Sequence, residues 1–476
     1  MLSCKLSRRL LEIGKRMSAE TDVSKILNYI AKEITEITNA GFGTIAVYEE
    51  DITGQYLNYK YRQSSTMEVK EYDELRFPID NQSIIGSSFL NKKAYNFESM
   101  DDVFEQTGFH YNRQYDEEAG TFTSNLLVVP MNNFGGECIG VLLLANKRDK
   151  EGNYTPFTAD ELEVCESITS QAAAIIDRTY FIDEVESMIE SIIETLVASL
   201  DRRDPITSGH SERVARISLE LMNYLHNRRF GPFANYHASD DEFKELFFAA
   251  MLHDIGKIGI EGALLKKRQK LYMNELRIVE LRMEILKMKL AADQDSLSEM
   301  IDNYVKRIHF INESRLLSDE DYDFLVQLRD YDTSKYGVDF LTDLEFDKLS
   351  VRVGNLSEDE RNQVKEHARI THEILGNVHW SNKLKRIPEI AAGHHEKLDG
   401  SGYPHQLKNG EISLESQIIG IVDIYDALVT TDRPYKKEMS KHDTLSIIAK
   451  EAEQGKIDKD LVSEFIDMVN QADFIF

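Results

Sequence analysis

Leu252-His253-Asp254-Ile255-Gly256-Lys257-Ile258-Gly259 follows an apolar run, Leu246-Phe247-Phe248-Ala249-Ala250-Met251-Leu252, that reads as a buried helix. The helix delivers an imidazole and a carboxylate side by side, and Gly256 then breaks it. A lone His-Asp pair is also what a buried histidine held by a neighbouring acid looks like. The rest of the C-terminal half shifts that balance. His210, His367, His394, His395 and Asp423 recur in settings of the same kind. Together with His253 and a carboxylate able to bridge, Asp254, this donor set suits two divalent transition metals.

Residues 202–476 read as almost all helix, with the candidate ligands expected at helix ends and turns. Gly209-His210-Ser211-Glu212-Arg213 opens one helix, and His367 lies in Glu366-His367-Ala368-Arg369-Ile370-Thr371-His372. Next comes His394-His395-Glu396-Lys397-Leu398-Asp399-Gly400-Ser401-Gly402-Tyr403-Pro404. Adjacent residues on a regular helix diverge by about 100°. A helix that ends near His395 would let both rings converge, and the glycine-rich tail supplies that ending. Ile421-Val422-Asp423-Ile424-Tyr425-Asp426 and Asp432-Arg433-Pro434-Tyr435-Lys436 complete the set.

These motifs resemble an HD-GYP domain, a branch of the HD phosphohydrolase superfamily. His253-Asp254 is similar to its HD pair, and Gly402-Tyr403-Pro404 to its GYP triplet. The resemblance covers about residues 190–265 and 350–470. It implies a phosphodiesterase that opens cyclic di-GMP to linear pGpG, with onward hydrolysis to GMP open to it and cyclic GMP-AMP as a related substrate. By position it implies that His210, His253, Asp254 and Asp423 hold one metal. His367, His394 and His395 would hold the second, with Asp254 bridging. Imidazoles and carboxylates favour iron or manganese, and zinc competes for the same ligands. Lys257 is expected to face the phosphate and help the leaving oxygen, which with Asp254 makes the catalytic pair. Arg433 and Lys436 are expected on phosphates, where Arg suits bidentate contact. Tyr403 is expected on a loop that meets the substrate or a partner protein.

Other residues have structural readings. Asp399 is expected to pin the glycine turn, and Asp426 to orient a ligand histidine. His372 is five residues beyond His367, roughly 140° further round a helix, and faces elsewhere. His110, His226, His237, His309, His379, His405 and His442 have no motif context and are expected at the surface or in packing. Some HD-GYP members carry a Glu four residues before the first His that supports a third metal. Here that position is Ile206, so two ions and release of the linear dinucleotide are expected. Leu398 stands where a Trp is frequent.

The stretch between Ile260 and His367 is 106 residues, longer than such domains usually have. The extra piece is roughly 266–350. Leu276, Val279, Met283, Leu286 and Leu290 form one apolar seam; Leu297, Ile301, Tyr304, Ile308 and Ile311 form another. Ser296 and Glu299 read as a capping box between them, so the expectation is a helical-hairpin insertion. A lid, a dimer contact or a docking platform all suit it.

The first part of the chain has a different pattern. Residues 7–38 show helical spacing, with Thr21 or Asp22 as cap for Ile26, Leu27, Ile30, Ile34 and Ile37. Strand-like runs follow at 43–48, 56–61, 124–130 and 138–145, and Asn132-Asn133-Phe134-Gly135-Gly136 is a hairpin turn signal. A helix resumes at Thr158. The order resembles a GAF domain over about residues 10–178, an α+β sensor for an unidentified small molecule. Leu126–Met131, Gly140–Lys147 and Phe157-Thr158-Ala159-Asp160-Glu161 carry the likeness. Asn146-Lys147, Phe157 and Asp160-Glu161 resemble the signature of cyclic-nucleotide-binding GAF domains, with one residue fewer between Phe157 and Asp160. The same residues also read as a capped strand-to-helix turn.

Between the two parts, Ala159 to about Asp201 contains no Pro or Gly. Ile182, Val185, Ile189, Ile192 and Leu196 alternate steps of three and four, a coiled-coil seam. The expected organisation is therefore multidomain: the α+β sensor, a connecting helix over 179–201 that joins two copies in a parallel homodimer, and an all-α HD-type domain over 202–476.

Composition agrees with this. The chain has 476 residues, 42% of them hydrophobic, enough for two or three cores. Three cysteines make no disulfide framework, and no run is long enough to span a membrane, so a cytoplasmic protein is expected. The N-terminus lacks the apolar core of a signal peptide. A net charge of -27 argues against binding a nucleic acid polymer and leaves metals and local cations to neutralise an anionic substrate. Two other readings stand beside the leading one: a receptor or scaffold that keeps its metals, and an HD phosphohydrolase for another nucleotide.

Overall fold

The computed structural model describes all residues except 1–3, 21, 52–53, 65–74, 101–102, 104–106, 110–121, 204–208, 293–299, 431–438 and 472–476. The chain divides into two compact units, Met1–Ile189 and Glu190–Phe476.

The first unit is built on a six-stranded sheet of order β3-β2-β1-β6-β5-β4. Its strands are β1 (Phe42–Asp51), β2 (Gly54–Ser64), β3 (Leu75–Pro78), β4 (Tyr95–Phe97), β5 (Leu126–Asn132) and β6 (Cys138–Ala145). Every neighbouring pair is antiparallel. Helices α1 (Cys4–Ala19) and α2 (Val23–Thr38) precede the sheet, and α3 (Ile84–Asn91) lies between β3 and β4. Asp22 caps α2 by accepting from the amides of Ser24 and Lys25, and Asn39 closes it in the left-handed region.

Alternate residues face opposite sides of a strand. Ile45, Val47, Leu127 and Val129 thus join Ile26, Ile30 and Ile34 in one core, while Ala46, Leu126 and Val128 join Ile84, Phe97 and Phe109 in another. Both faces are covered, which is why the central strands read as unbroken apolar runs. The hairpin turn before β6 uses Gly136 at φ 77°.

The residues of the nucleotide-like signature are engaged in structure. The Lys147 ammonium donates to the Glu161 carboxylate at 2.6 Å and the Pro156 carbonyl at 3.0 Å. Thr158 and Glu161 cap the next helix reciprocally, side chain to amide in each direction. That helix, α4, is continuous over Ala159–Arg203. Cys165, Ile168, Ala172 and Ile176 enter the core of the first unit, and Ile193 and Val197 enter that of the second. Ile182, Ile189, Ile192 and Leu196 stay exposed.

The second unit is helical: α5 (His210–His226), α6 (Asp240–Leu252), α7 (Gly262–Leu265), α8 (Met273–Ala292), α9 (Ile301–Glu313), α10 (Asp319–Asp330), α11 (Asp343–Leu349), α12 (Glu358–Gly376), α13 (Ile387–Ala392), α14 (Leu414–Val429), α15 (Lys441–Glu453) and α16 (Lys459–Gln471). Leu221, Leu246, Ala249, Ile390, Ile418, Val422 and Phe465 sit in its main core.

Residues 271–349 close around a core of their own. The two seams pair as α8 against α9: Leu276, Val279, Met283, Leu286, Leu290, Ile301, Ile308 and Ile311 are buried. Leu297 and the Ser296–Glu299 capping box lie outside the described residues. The hairpin is half of this piece, because Phe324, Leu325 and Leu328 of α10 and Phe346 and Leu349 of α11 complete the core. Two buried lysines tie its base. Lys270 donates to the Leu349 and Val351 carbonyls at 2.9 and 2.7 Å, and Lys267 pairs with Glu360 of α12 at 2.6 Å.

Candidate metal centre

Each of three buried histidines is fixed in the same way. The Nδ1 of His253, His367 and His394 meets the carbonyl three residues back, of Ala250, Val364 and Ala391, at 2.7, 2.6 and 2.6 Å. That bond selects the tautomer with the proton on Nδ1 and turns Nε2 inward as a free lone pair. All three Nε2 atoms are buried with no hydrogen-bond partner. A buried polar atom without a partner is costly, so three converging ones point to an ion that completes them.

The donors fall into two groups, His210 with His253 and Asp254, and His367 with His394 and His395; within each, the ligand atoms lie within 4.8 Å of one another. Asp254 stands between the groups. Its Oδ2 is 3.5 Å from His253 Nε2, and its Oδ1 is 3.5 Å from His367 Nε2. Asp423 reaches His210 Nε2 at 3.1 Å.

Local folding explains the convergence. His253 ends α6, and Asp254 precedes a tight turn over Ile255–Gly259. His394 and His395 lie on a 3₁₀ turn, Gly393–His395, after α13, and Glu396 leaves it in extended geometry. This is the helix end that lets adjacent rings share a site; their centroids are 3.9 Å apart. Gly402 packs so close to that turn that a Cβ there would lie 2.3 Å from the Lys397 amide nitrogen. It brings the Tyr403 ring to 4.7 Å from His395 and 6.2 Å from His367.

Electrostatics suit cation binding. Burial keeps His253, His367 and His395 below the ordinary histidine value and His394 at about 4, so these rings are neutral near pH 7. Burial alone would raise the Asp254 carboxyl, but Lys257 and the surrounding histidines hold it well below the usual range. Asp423 is held down in the same way, chiefly by its bond to His210. His210 is the exception: burial disfavours its charge, yet its bonds to Asp423 and Asp426 hold it up to about 10. A proton and a divalent ion therefore compete for its Nε2.

Other expected residues fall as follows. Lys257 Nζ is 2.6 Å from Asp254 Oδ2. Asp426 meets His210 Nδ1 at 2.7 Å, and Asp399 pins the glycine turn by accepting from the Ser401 amide and hydroxyl. His372 meets His405 and belongs to neither donor group, and His309 pairs with Glu280. Arg433, Lys436, Ile206 and His110 lie outside the described residues.

Two residues carry roles that the sequence did not disclose. Arg213 grips Asp426 through Nε and Nη2 at 2.8 and 3.0 Å. Its spacing of three from His210, which puts both on one helix face, was the available signal. Glu396 accepts from the amides of His405 and Leu407 at 2.6 and 2.9 Å and so holds the Gly-Tyr-Pro loop.

Comparison with known proteins agrees with this architecture. Residues 22–176 match the GAF domain family, while 207–330 and 345–461 each match an HD domain family. The chain is 37% identical over 112 residues to the cyclic di-GMP phosphodiesterase response regulator RpfG of Xanthomonas campestris, covering 23% of this chain and 28% of that one. It is 26% identical over 263 residues to the 3'3'-cGAMP-specific phosphodiesterase 3 of Vibrio cholerae, covering 55% of this chain and 35% of that one. A cyclic di-GMP phosphodiesterase of Thermotoga maritima is 40% identical over 90 residues, 19% of this chain and 24% of that one. The chain thus spans about a quarter to a third of the length of these relatives. The chain therefore carries a GAF-like part followed by an HD-like part, and the histidine and aspartate groups that could hold metal lie in the HD-like part.

Proposed function

We propose that this chain is a metal-dependent phosphodiesterase that hydrolyses cyclic di-GMP to linear pGpG under control of its GAF domain. The observation that carries the reading is the set of three orphaned, inward-facing Nε2 atoms around Asp254. The names of the relatives support the substrate class.

In this reading His210, His253, Asp254 and Asp423 would hold one divalent ion, and His367, His394 and His395 would hold a second, with Asp254 placed to serve both. Iron or manganese suits these ligands. Bound there, such ions would supply Lewis acidity toward a phosphoryl group and would lower the pKa of a water. The chain's own residues do the rest. Lys257 offers a positive charge beside Asp254 for the charge that develops on the leaving oxygen. Tyr403 walls the side of the site at His395. Arg433 and Lys436 bind phosphate oxygens, which a chain of net charge -27 needs close to its site.

The proposed domain limits are 10–178 for the GAF sensor, 179–201 for the connecting helix and 202–476 for the HD domain, with 266–350 inserted. The exposed heptad side chains of α4 support a homodimer. A small molecule bound by the GAF domain sets activity, and the cytoplasm is the proposed setting. No helix among the described residues is long and apolar enough to cross a membrane.

Cyclic GMP-AMP is the second reading. It is favoured by the reported relative whose similarity runs over 263 residues and whose name specifies that nucleotide. The test is to load purified full-length protein with Mn²⁺ or Fe²⁺, supply each cyclic dinucleotide, and identify products by mass spectrometry. Linear pGpG is expected. Hydrolysis of cyclic GMP-AMP alone would replace the first reading with the second. Metal-replete protein that binds the nucleotide without turnover would make it a receptor.

A further inference from the structure

Thr371 lies four residues after His367 on α12, one turn along and on the same side. It is fully buried. Its hydroxyl donates to the His253 carbonyl at 3.0 Å and accepts the Gly256 amide proton at 3.0 Å. One O–H group thereby satisfies two backbone groups that flank Asp254, using both its proton and a lone pair. The backbones meet at this point. A Cβ on Gly256 would lie 1.9 Å from the His367 carbonyl oxygen and 2.6 Å from the Thr371 amide nitrogen. The turn that carries Asp254 is clamped against the helix that carries His367.

Beside that clamp Asp254 Oδ1 approaches His367 Nε2 at 3.5 Å, and Asp254 is the carboxylate with one oxygen toward each ligand group. We propose that Thr371 is a positioning residue that sets the spacing between the two ligand groups, so that ions in both share Asp254. This rests on the two-ion reading above. Within it, Thr371 touches no ion or substrate; it acts through the backbone on either side of Asp254. Valine keeps the shape of threonine and loses the hydroxyl, leaving a buried carbonyl and a buried amide unpaired. Serine keeps the hydroxyl and loses a methyl group.

The experiment uses full-length protein with Thr371→Val or Thr371→Ser, titrated with Mn²⁺ and followed by electron paramagnetic resonance, with thermal unfolding alongside. In the wild type, two ions bridged by Asp254 give an exchange-coupled signal. For Thr371→Val we expect second-ion affinity to fall by about tenfold or more, with the coupled signal replaced by that of isolated ions. Thr371→Ser keeps the coupled signal. A valine variant with wild-type affinity and a coupled signal overturns the proposal. So does a folded serine variant that loses the coupling, and that arm decides the matter if the valine variant does not fold. A wild-type protein that binds one ion, or two ions without coupling, defeats the two-ion reading itself and is told apart by needing no variant.

Discussion

Asp426→Asn tests how the first ligand group is prepared. Asp426 is fully buried and accepts from His210 Nδ1 at 2.7 Å and from Arg213 Nε and Nη2 at 2.8 and 3.0 Å. All three partners are donors, and an asparagine has one acceptor oxygen. If that oxygen stays on Arg213 Nε, the new NH₂ group faces two donors. Two charge-assisted hydrogen bonds are then lost, each worth about 1.5–3 kcal/mol. His210 escapes the clash by moving its proton to Nε2, which removes the lone pair that an ion needs. The expected loss of metal affinity at this group is about 10–100-fold, the range for losing the partner that orients a ligand histidine.

The assay is chelator competition with Mn²⁺ at several pH values, with thermal unfolding measured in parallel. In the wild type His210 binds a proton with a pKa near 10, so one proton must leave as the ion enters. Affinity at this group should therefore rise with pH up to that value and weaken as pH falls. In Asp426→Asn the affinity drops and the pH dependence becomes shallower, while His367, His394 and His395 still take up an ion. Unchanged affinity in a folded variant would refute the claim that Asp426 sets the tautomer of His210.

Three other outcomes are expected. Lys270→Met should destabilise the 271–349 core by about 2–4 kcal/mol in denaturant unfolding, because the Leu349 and Val351 carbonyls lose their buried donor; a neutral result would mean that other donors reach them. Burial alone would raise the Glu360 carboxyl, but Lys267 and the Ser357 amide hold it below its ordinary value, while burial leaves Lys267 itself lowered. As pH falls the unfolded chain takes up that proton first, so the contribution is whole above the ordinary Glu value of about 4.3 and fades as pH drops through it. The Glu360→Gln variant should show a flatter stability profile than wild type below about pH 5. Ile189→Asp with Ile192→Asp should convert a dimer to a monomer in sedimentation, with little change in melting temperature because both side chains are exposed; a monomeric wild type would end the coiled-coil reading.

Much of the molecule was legible in one dimension where local physics dominates. The seam of α8 could be read because apolar side chains must recur at helical spacing to reach a core, and all five of its residues are buried. His210, His253, His394 and His395 are legible because each sits at a helix end or turn near glycine, where side chains can leave the helix direction; His367 and Asp423 depart from that expectation, since both lie inside helices, α12 and α14. Short pieces were not legible. Strand β4 has three residues, and its place follows from pairing with β5, a contact about thirty positions away in the chain. Of the two helices that complete the inserted core, α11 is hidden for a similar reason: it has seven residues, too few for periodicity to speak.

By itself, then, the chain's order of residues determined which imidazoles and carboxylates were available, that a sheet-based part precedes a helical one, and that an extra helical piece interrupts the second. Only the folded chain decided which oxygen of Asp254 faces which histidines, that Arg213 rather than solvent holds Asp426, and that a buried hydroxyl on α12 joins the two sides. Local pattern reports which face of an element is buried. It carries no information on the last ångström between groups more than a hundred residues apart, because that distance is set by how backbones pack, and at Gly256 by the absence of a single Cβ.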